Sequence, residues 1–304
     1  MSPASSSESN LSRSGMGLAV SCYLLWGLVP IYWKAIPEIA PDEALIPRIL
    51  WTLAVLGVAT LVTGRMAENW TSDIRDWGWN LLAASLLAGN WTLFIYAIQT
   101  DRVIATSLGY YINPLVSILF GLVILGERLN RVQSIAIAVA ACGVATLTIR
   151  EGELPWISLV LATTFGLYGL LHKLHPQPAL AGLTREMMVL APFAVLGFGW
   201  LAARSESMLV DASLGSHAYL SLTGVITATP LLLFHAATKR LPLVAVGMFQ
   251  YIAPTITLVL ATAVYGEPFT TSHALGFGFV WIGLGLFSFD SIRRSRMLPA
   301  VIVD

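Results

Sequence analysis

The chain has 304 residues, of which 56% are hydrophobic and only 11% are charged, and its formal net charge is zero. A soluble domain carries roughly 25% charged residues, so the composition excludes an ordinary globular protein. The balanced charge and the lack of a basic stripe exclude a nucleic-acid partner. Apolar residues come in blocks of about 20, the length that an α-helix needs to cross a bilayer. The sequence therefore predicts an all-α integral membrane protein.

Ten apolar blocks follow one another along the chain, and we predict that each is a transmembrane helix. Residues 1–14 are rich in Ser and are predicted to form a disordered cytoplasmic tail, and residues 293–304 a second cytoplasmic tail. Cys22 and Cys142 both lie inside apolar blocks, so we expect reduced packing residues. The predicted spans are 15–35, 43–63, 78–98, 103–125, 132–149, 155–172, 183–203, 216–237, 243–265 and 272–290.

The fourth and ninth spans resemble each other. Residues 105–114 read ATSLGYYINP, and residues 245–254 read AVGMFQYIAP. One offset of 140 positions holds without a gap through three apolar segments, which indicates an internal duplication. We therefore predict two five-helix repeats, residues 15–150 and 151–292. The offset pairs Phe94 with Phe234, Tyr111 with Tyr251, Pro114 with Pro254 and Gly143 with Gly283.

Five spans in each repeat is an odd number, so the second repeat enters the membrane from the opposite face. Most Lys and Arg residues fall in the tails and loops on the side of the membrane where the amino terminus lies. This bias predicts that both termini are cytoplasmic. Inverted-topology repeats are typical of secondary transporters, with a substrate site near the midplane between the repeats. We predict alternating access around a cavity that is lined by the first, third, fourth, sixth, eighth and ninth spans.

The candidate substrate-binding residues are aromatic and amide side chains of these spans. Asn90 offers hydrogen-bond donors where lipid offers none, although it could instead only hold the helices together. Pro114 and Pro254 are predicted to break their helices and to free carbonyl groups, the alternative being a packing kink. A small amphipathic or aromatic metabolite or a drug-like solute would suit this lining. The candidates are Trp26, Tyr32, Asn90, Phe94, Tyr110, Asn113, Tyr168, Phe234, Gln250 and Tyr251.

Six ionisable residues are candidates for gating or coupling. Arg48 lies inside the second span with Glu43 as its nearest acidic partner, so we predict that Arg48 binds or gates an anionic group at the outer vestibule. The alternative is an anchor that snorkels to the headgroups. Glu186 is a candidate proton-coupling acid or a solvated helix start, and His235 is a proton relay or a core histidine. Lys34 and Lys173 occupy matched ends and would be gate-end or interface anchors.

Several motifs are more specific than the general pattern. They are WGLVPIYWK at 26–34, GNWTLFIY at 89–96, SLGYYINP at 107–114, LGER at 125–128 and FQYIAP at 249–254. On these motifs the sequence resembles the RarD subfamily of the EamA-type drug/metabolite transporters. The resemblance implies ten helices, a bacterial inner-membrane location and transport of a small solute, with export as the direction. The subfamily usually has His before the Arg of the second helix, whereas this chain has Pro47, so no role is carried to that position.

No zinc-ligand spacing, nucleophile elbow or phosphate loop occurs in the sequence, so we expect no metal, no cofactor and no ATP-driven pumping. Uniport, exchange and coupling to an ion or proton gradient stay open, as does a monomer or a homodimer in the lipid bilayer. One alternative function is a membrane-embedded enzyme acting on a lipid-linked substrate, which the scattered depths of Glu43, Glu186 and His235 disfavour. Another is a membrane assembly or regulatory protein without transport.

Overall fold

The computed structural model describes residues 3–37, 39–70, 73–124, 130–151, 154–204, 207, 209–238, 240 and 249–297. Within these ranges the regular structure is helical, with no β-strand. The helices are α1 (Pro3–Lys34), α2 (Pro41–Val62), α3 (Ile74–Gln99), α4 (Val103–Ile124), α5 (Arg131–Glu151), α6 (Trp156–Leu174), α7 (Ala179–Arg204), α8 (Leu214–Thr238), α9 (Ile252–Val259) and α10 (Thr271–Met297). A 3₁₀ turn at Met66–Asn69 precedes α3, and π-helical Leu260–Val264 continues α9.

Six segments of the described chain are long and apolar enough to cross a membrane: Ser14–Lys34, Pro41–Val62, Ile74–Gln99, Arg131–Arg150, Ala179–Ala203 and Leu214–Phe234. Trp156–His172 and Ile252–Val264 are shorter apolar helices. The prediction of an all-α membrane protein is therefore confirmed. The remaining predicted spans stay predictions.

The predicted tail at residues 1–14 differs from the structure, because α1 already begins at Pro3. The physical reason is that lengthening an existing helix needs no new nucleus, and proline at a first helical position costs no hydrogen bond. Ser residues in this segment therefore extend the first membrane helix. At the other end, α10 continues to Met297, beyond the predicted span.

Close backbone approaches bring the helices together at small residues. A Cβ atom added at Gly224 of α8 would clash with the carbonyl oxygen of Trp51 in α2. Such close packing is typical of helix pairs in membranes, where small residues let the backbones meet. Arg48 lies about one turn before Trp51, so this contact sets the part of α8 that faces Arg48.

The same kind of contact joins α5 and α10 at two points. A Cβ atom added at Gly143 would lie 2.7 Å from the carbonyl oxygen of Gly276, and one added at Gly283 would lie 2.6 Å from that of Ala136. The offset of 140 pairs Gly143 with Gly283 and Ala136 with Gly276, so each contact is the counterpart of the other in the duplicated sequence.

Helices α4 and α9 also lie side by side. The Ser107 hydroxyl donates to the Pro254 carbonyl at 2.8 Å, and the Tyr111 and Thr255 hydroxyls are 2.6 Å apart. The rings of Tyr111 and Tyr251 stack with centroids 6.1 Å apart. The duplicated stretches therefore meet in space where both are described.

The predicted helix break at Pro114 is wrong, because α4 runs without interruption from Val103 to Ile124. Neighbouring helices can support a membrane helix at a proline, and Asn113 donates from Nδ2 to the Ala162 carbonyl of α6 at 3.1 Å. In the matching stretch, residues 245–254, a turn at Tyr251 interrupts the helix. Pro254 lies in the first turn of α9, which follows.

The turn between α9 and α10 also caps the amino-terminal end of α4. Gly266 has φ +68°, a conformation that glycine adopts without steric cost. It directs the Glu267 carboxylate onto the free N–H groups of Val103 and Ile104, at 2.7 and 2.9 Å. Burial raises the pKa of Glu267, and these two hydrogen bonds oppose the shift. Glu267 therefore acts as an N-cap supplied by a distant segment.

Candidate functional site

A cavity of about 70 Å³ lies where α1, α2, α3, α4, α6, α8 and α9 meet. The six predicted spans contribute to it, and α2 is an addition. Since a single water needs at least roughly 10–15 Å³, the space holds at most about five to seven waters. The lining residues are Tyr23, Trp26, Val29, Arg48, Leu87, Asn90, Trp91, Phe94, Tyr110, Phe165, Thr227, Leu231, Gln250, Ala253, Pro254 and Thr257.

One wall of the cavity is a continuous row of aromatic rings. Ring centroids are 5.5 Å apart between Tyr23 and Trp26, and 6.5 Å between Trp26 and Phe165. Tyr110 continues the row, 6.3 Å from Phe165 and 5.9 Å from Phe94. These distances are those of favourable edge and tilted contacts, so the wall is a preformed apolar surface.

The two amides at the cavity also hold helices together. Asn90 donates from Nδ2 to the Leu161 carbonyl at 3.0 Å and to the Thr164 hydroxyl at 2.8 Å, both on α6. Gln250 reaches from Nε2 to the Asn113 Oδ1 at 3.4 Å. Asn90 therefore combines both roles that its position predicts, lining the cavity and fastening α3 to α6.

Arg48 is the only charged side chain among the described residues that line the cavity. It is 7% exposed, so it does not snorkel to a headgroup. Its Nε donates to the Thr227 hydroxyl at 3.1 Å, and its guanidinium lies 4.1 Å from the ring centroid of Trp91. Helix α2 thus presents the Arg48 side chain to the cavity, and its predicted role at an outer vestibule stays a prediction.

Glu43 is not the partner of Arg48. Its carboxylate accepts from the Ser207 hydroxyl at 3.0 Å and from the Leu209 backbone N–H at 2.8 Å. These contacts join the start of α2 to the segment between α7 and α8. The two residues are close along the helix, but Glu43 faces another part of the bundle.

Tyr32 and Tyr219 form a clasp between the cavity and the end of the bundle that contains Lys34. The two rings are stacked with centroids 4.6 Å apart at an angle of 5°. Each hydroxyl donates to the other residue's carbonyl, at 2.9 and 3.3 Å. Beyond the clasp, Lys34 pairs with Asp101 and lies 5.0 Å over the ring of Tyr265. Tyr32 is thus placed beyond the cavity lining, closing one side.

Glu186 lies on the opposite side and is fully buried. Its Oε1 is 2.9 Å from the His172 Nε2, and its Oε2 accepts from the Tyr168 hydroxyl at 3.2 Å. Tyr168 packs on the cavity residue Phe165 with ring centroids 5.9 Å apart. The Tyr168 ring therefore lies between Glu186 and the cavity residue Phe165.

A second, very small cavity of about 10 Å³ adjoins this acid. It has room for about one water. His175 lines it and lies 2.7 Å from the Asp76 carboxylate, which is also 3.8 Å from Arg185 Nη1. A line of ionisable groups thus runs from Glu186 toward the end of the bundle that contains His175.

The sequence profile of the EamA-like transporter family matches residues 13–149 and, a second time, residues 154–289. The chain belongs to the EamA-like transporter family.

Relatives of the family resemble the chain along nearly its whole length. An uncharacterized transporter of Vibrio cholerae is 38% identical over 93% of this chain and 95% of its own. YojE, an uncharacterized transporter of Bacillus subtilis, is 38% identical over 93% and 96%. The protein RarD of Escherichia coli is 36% identical over 95% and 98%. The RarD resemblance that the motifs predict is confirmed, and a multi-pass membrane transporter is favoured over an enzyme.

A solved crystal structure shares the fold. It is 15% identical in sequence and superposes with a TM-score of 0.61 over 91% of this chain and 98% of its own.

Several predicted binding residues of this EamA-family chain lie outside the cavity lining. Phe234 packs behind Trp26 with ring centroids 5.8 Å apart, and Tyr251 stacks on Tyr111. Asn113 bonds to α6, and Tyr168 to Glu186. The side chains of Pro114, Lys173 and His235 lie outside the described residues. Trp26, Asn90, Phe94, Tyr110, Gln250 and Pro254 are the predicted residues that the structure brings together at the cavity.

Tyr23, Trp91, Phe165 and Thr227 line the cavity but were not among the predicted binding residues. The duplication carries a signal for one of them, because Phe165 corresponds to the predicted residue Trp26 at an offset of 139. Tyr23, Trp91 and Thr227 correspond to no predicted binding residue.

Proposed function

We propose that this protein is a secondary transporter in which two inverted five-helix repeats alternate access to the central cavity. The repeats would be residues 15–150 and 151–292, making ten spans. The observation that carries the proposal is the cavity itself, because residues from both matched segments line it. Solute sites of transporters with inverted repeats lie at such an interface.

Related contacts between the two halves support the inverted repeat. The contacts Gly143–Gly276 and Ala136–Gly283 exchange under the offset of 140. A Cβ at Gly27 would lie 2.8 Å from the Ile256 Cβ, and one at Gly166 would lie 3.2 Å from the Val116 Cγ1. These two contacts are also counterparts of each other, because Gly27 corresponds to Gly166 at an offset of 139 and Val116 corresponds to Ile256 at an offset of 140.

Two contacts join residues that correspond to each other, Tyr111 with Tyr251 and Trp26 with Phe165. A residue can touch its own counterpart only near the axis that relates the two copies. Both pairs lie in or beside the cavity region, which supports a pseudo-twofold axis through the solute site.

Gates would lie on either side of the cavity. The Tyr32–Tyr219 clasp, with Lys34 and Asp101 beyond it, would form the outer gate. The cluster of Tyr168, His172 and Glu186 would form the inner gate and carry coupling to protons. Glu43 would support the outer gate through its bonds to the segment between α7 and α8.

The proposed location is the bacterial inner membrane with both termini in the cytoplasm. The predominance of Lys and Arg in segments on the amino-terminal side supports that orientation. Export is proposed as the direction, and the solute is a small metabolite or drug-like compound.

Flux measurements in proteoliposomes test the transport proposal. The wild-type protein should exchange a labelled compound from a broad metabolite panel, whereas Thr227→Trp should stop exchange because it fills the cavity. Val225→Trp is the matched control, since it adds the same bulk two residues away where the side chain is 50% exposed. No flux of any compound, or equal flux through wild type and Thr227→Trp protein, would contradict the proposal. Elution of both variants as monodisperse protein checks folding.

A further inference from the structure

The positive charge of Arg48 has no balancing negative charge among the described residues. Arg48 is 7% exposed and forms no ion pair there. The Arg48 Nε donates to the Thr227 hydroxyl, whereas the Arg48 Nη1 is buried and has no hydrogen-bond partner among the described residues. Because the guanidinium stays protonated in proteins, the charge cannot be removed by titration.

The surroundings of Arg48 compensate only part of the cost of burying this charge. The Trp91 face is 4.1 Å from the guanidinium carbon and the Trp33 face is 5.8 Å away, so both rings attract the cation. A buried charge normally needs an ionic partner as well as hydrogen bonds. The donor left on Nη1 therefore points to a partner that comes from outside the protein.

A second donor at the same cavity lacks a partner. Tyr23 lines the cavity, and its buried hydroxyl has no hydrogen-bond partner among the described residues. The described lining contains no carboxylate, so the cavity combines a cation, a free hydroxyl donor and an aromatic wall. This combination is complementary to an acceptor group on an apolar body.

We propose that the solute is a short-chain aliphatic monocarboxylate, and that its carboxylate pairs with Arg48. This assignment rests on the proposed transport function. One guanidinium balances one negative charge, so a phosphate dianion or a dicarboxylate would bring an excess charge into the cavity. A fixed cation on the solute would find no acid among the described lining residues.

The size of the cavity limits the solute. A volume of about 70 Å³ is less than half of the roughly 150 Å³ in which benzene fits, so the cavity suits a short-chain acid. The aromatic row from Tyr23 to Phe94 offers its apolar part a surface. Longer or aromatic acids would need the lining side chains to move.

Calorimetric titration of the full chain in lipid nanodiscs tests the assignment with matched probes. Acetate and propionate are compared with acetamide and propionamide, which have nearly the same shape without the charge. We expect the acids to bind about 10- to 100-fold more tightly than their amides, the range for hydrogen bonds to a charged group. Arg48→Gln should abolish the preference, and Arg48→Lys should keep part of it because the charge remains. Arg102→Gln, at an exposed position, is the control.

Equal binding of an acid and its amide to the wild-type protein would overturn the proposal. So would an unchanged preference in Arg48→Gln, or the failure of all the acids to bind.

Thermal unfolding gives a test that needs no solute. If Arg48 is unpaired in the empty protein, Arg48→Met should leave the Tm unchanged or raise it, because an uncompensated buried charge is removed. A Tm lowered by several degrees would show that the charge has a structural partner, and would overturn the assignment.

The two proposals can fail separately. Arg48-dependent binding of acids without flux would leave the ligand assignment intact and contradict transport. Flux of neutral compounds that is unchanged in Arg48→Gln would support transport and contradict the monocarboxylate.

Discussion

Arg48 and Glu186 are both buried ionisable side chains in membrane helices, yet their surroundings differ. Arg48 contacts the faces of two tryptophans and one hydroxyl, and it cannot release its proton. Glu186 contacts a histidine and a tyrosine hydroxyl, and a carboxyl group can take up or release a proton. Chemistry at the residue scale therefore suits Arg48 to hold an anion and Glu186 to carry a proton.

Glu186→Gln tests the coupling role. The amide cannot be ionised, so we expect a proton gradient to stop accelerating transport while solute exchange across the membrane continues. Flux in proteoliposomes with and without a pH gradient measures both activities. The ionisable neighbours Tyr168, His172 and, further out, Asp76 and Arg185 stay unchanged. Glu68→Gln is the control, since Glu68 is exposed and lies outside both gates, and an equal loss of gradient response there would argue against Glu186 as the coupling acid.

The raised pKa of Glu267 predicts a pH dependence of stability. A raised pKa means that the folded protein holds the proton more tightly than the unfolded chain. Stability should therefore fall as pH rises from the ordinary glutamate value, about 4.3, through the folded pKa. Glu267→Gln should flatten this part of the curve. Thermal unfolding as a function of pH measures the slope, and identical slopes in both proteins would contradict the prediction.

At the scale of helices, small residues decide how closely the elements approach. At Gly143 and Gly283 an added Cβ atom would clash with a backbone carbonyl of the neighbouring helix. The two sites are related by the offset of 140, so helices α5 and α10 use one contact twice. Equivalent glycines in both repeats therefore carry the same packing constraint.

Gly143→Ala and Gly283→Ala should destabilise the protein by similar amounts, about 1–3 kcal/mol each, because both overpack a close helix contact. Gly285→Ala lies on the same helix with nothing within 4 Å and should be neutral or slightly stabilising. Unfolding temperatures in detergent distinguish these outcomes. A large difference between the two close-contact variants would count against equivalent packing in the two repeats.

For the whole molecule, the proposed function requires two arrangements of the helices around one cavity. Tyr32 on α1 and Tyr219 on α8 link the helices at one end through a ring stack and two hydrogen bonds. These contacts are few, so they can break when the other end closes. Alternating access then needs this clasp to open in each transport cycle.

A reversible cross-link at the clasp tests that motion. Tyr32→Cys with Tyr219→Cys, built after replacing Cys22 and Cys142, should stop transport when a bifunctional methanethiosulfonate reagent bridges the two thiols. Reduction should release the bridge and restore the flux, which excludes damage from the substitutions. Each single-cysteine protein treated with the same reagent is the control. Undiminished flux in the fully cross-linked protein would show that the clasp need not open.

Sequence patterns alone predicted the helical membrane class, the duplication and the family resemblance. The membrane class depends on the length and apolar character of each segment, which can be counted residue by residue. The duplication and the resemblance depend on residue identities that recur at one offset and in short motifs. Trp26, Asn90 and Tyr110 were also predicted as cavity residues, because they are aromatic or polar side chains in apolar spans.

Only the tertiary structure decided which side chains line the cavity. Tyr32 and Tyr168 lie on lining helices, yet they close its sides, and Glu43 bonds to a loop instead of Arg48. The physical reason is that hydropathy determines which segments enter the membrane, whereas the rotation and depth of each helix depend on packing against its neighbours. Close contacts such as that of Gly224 with Trp51 determine this rotation, and no single segment contains that information.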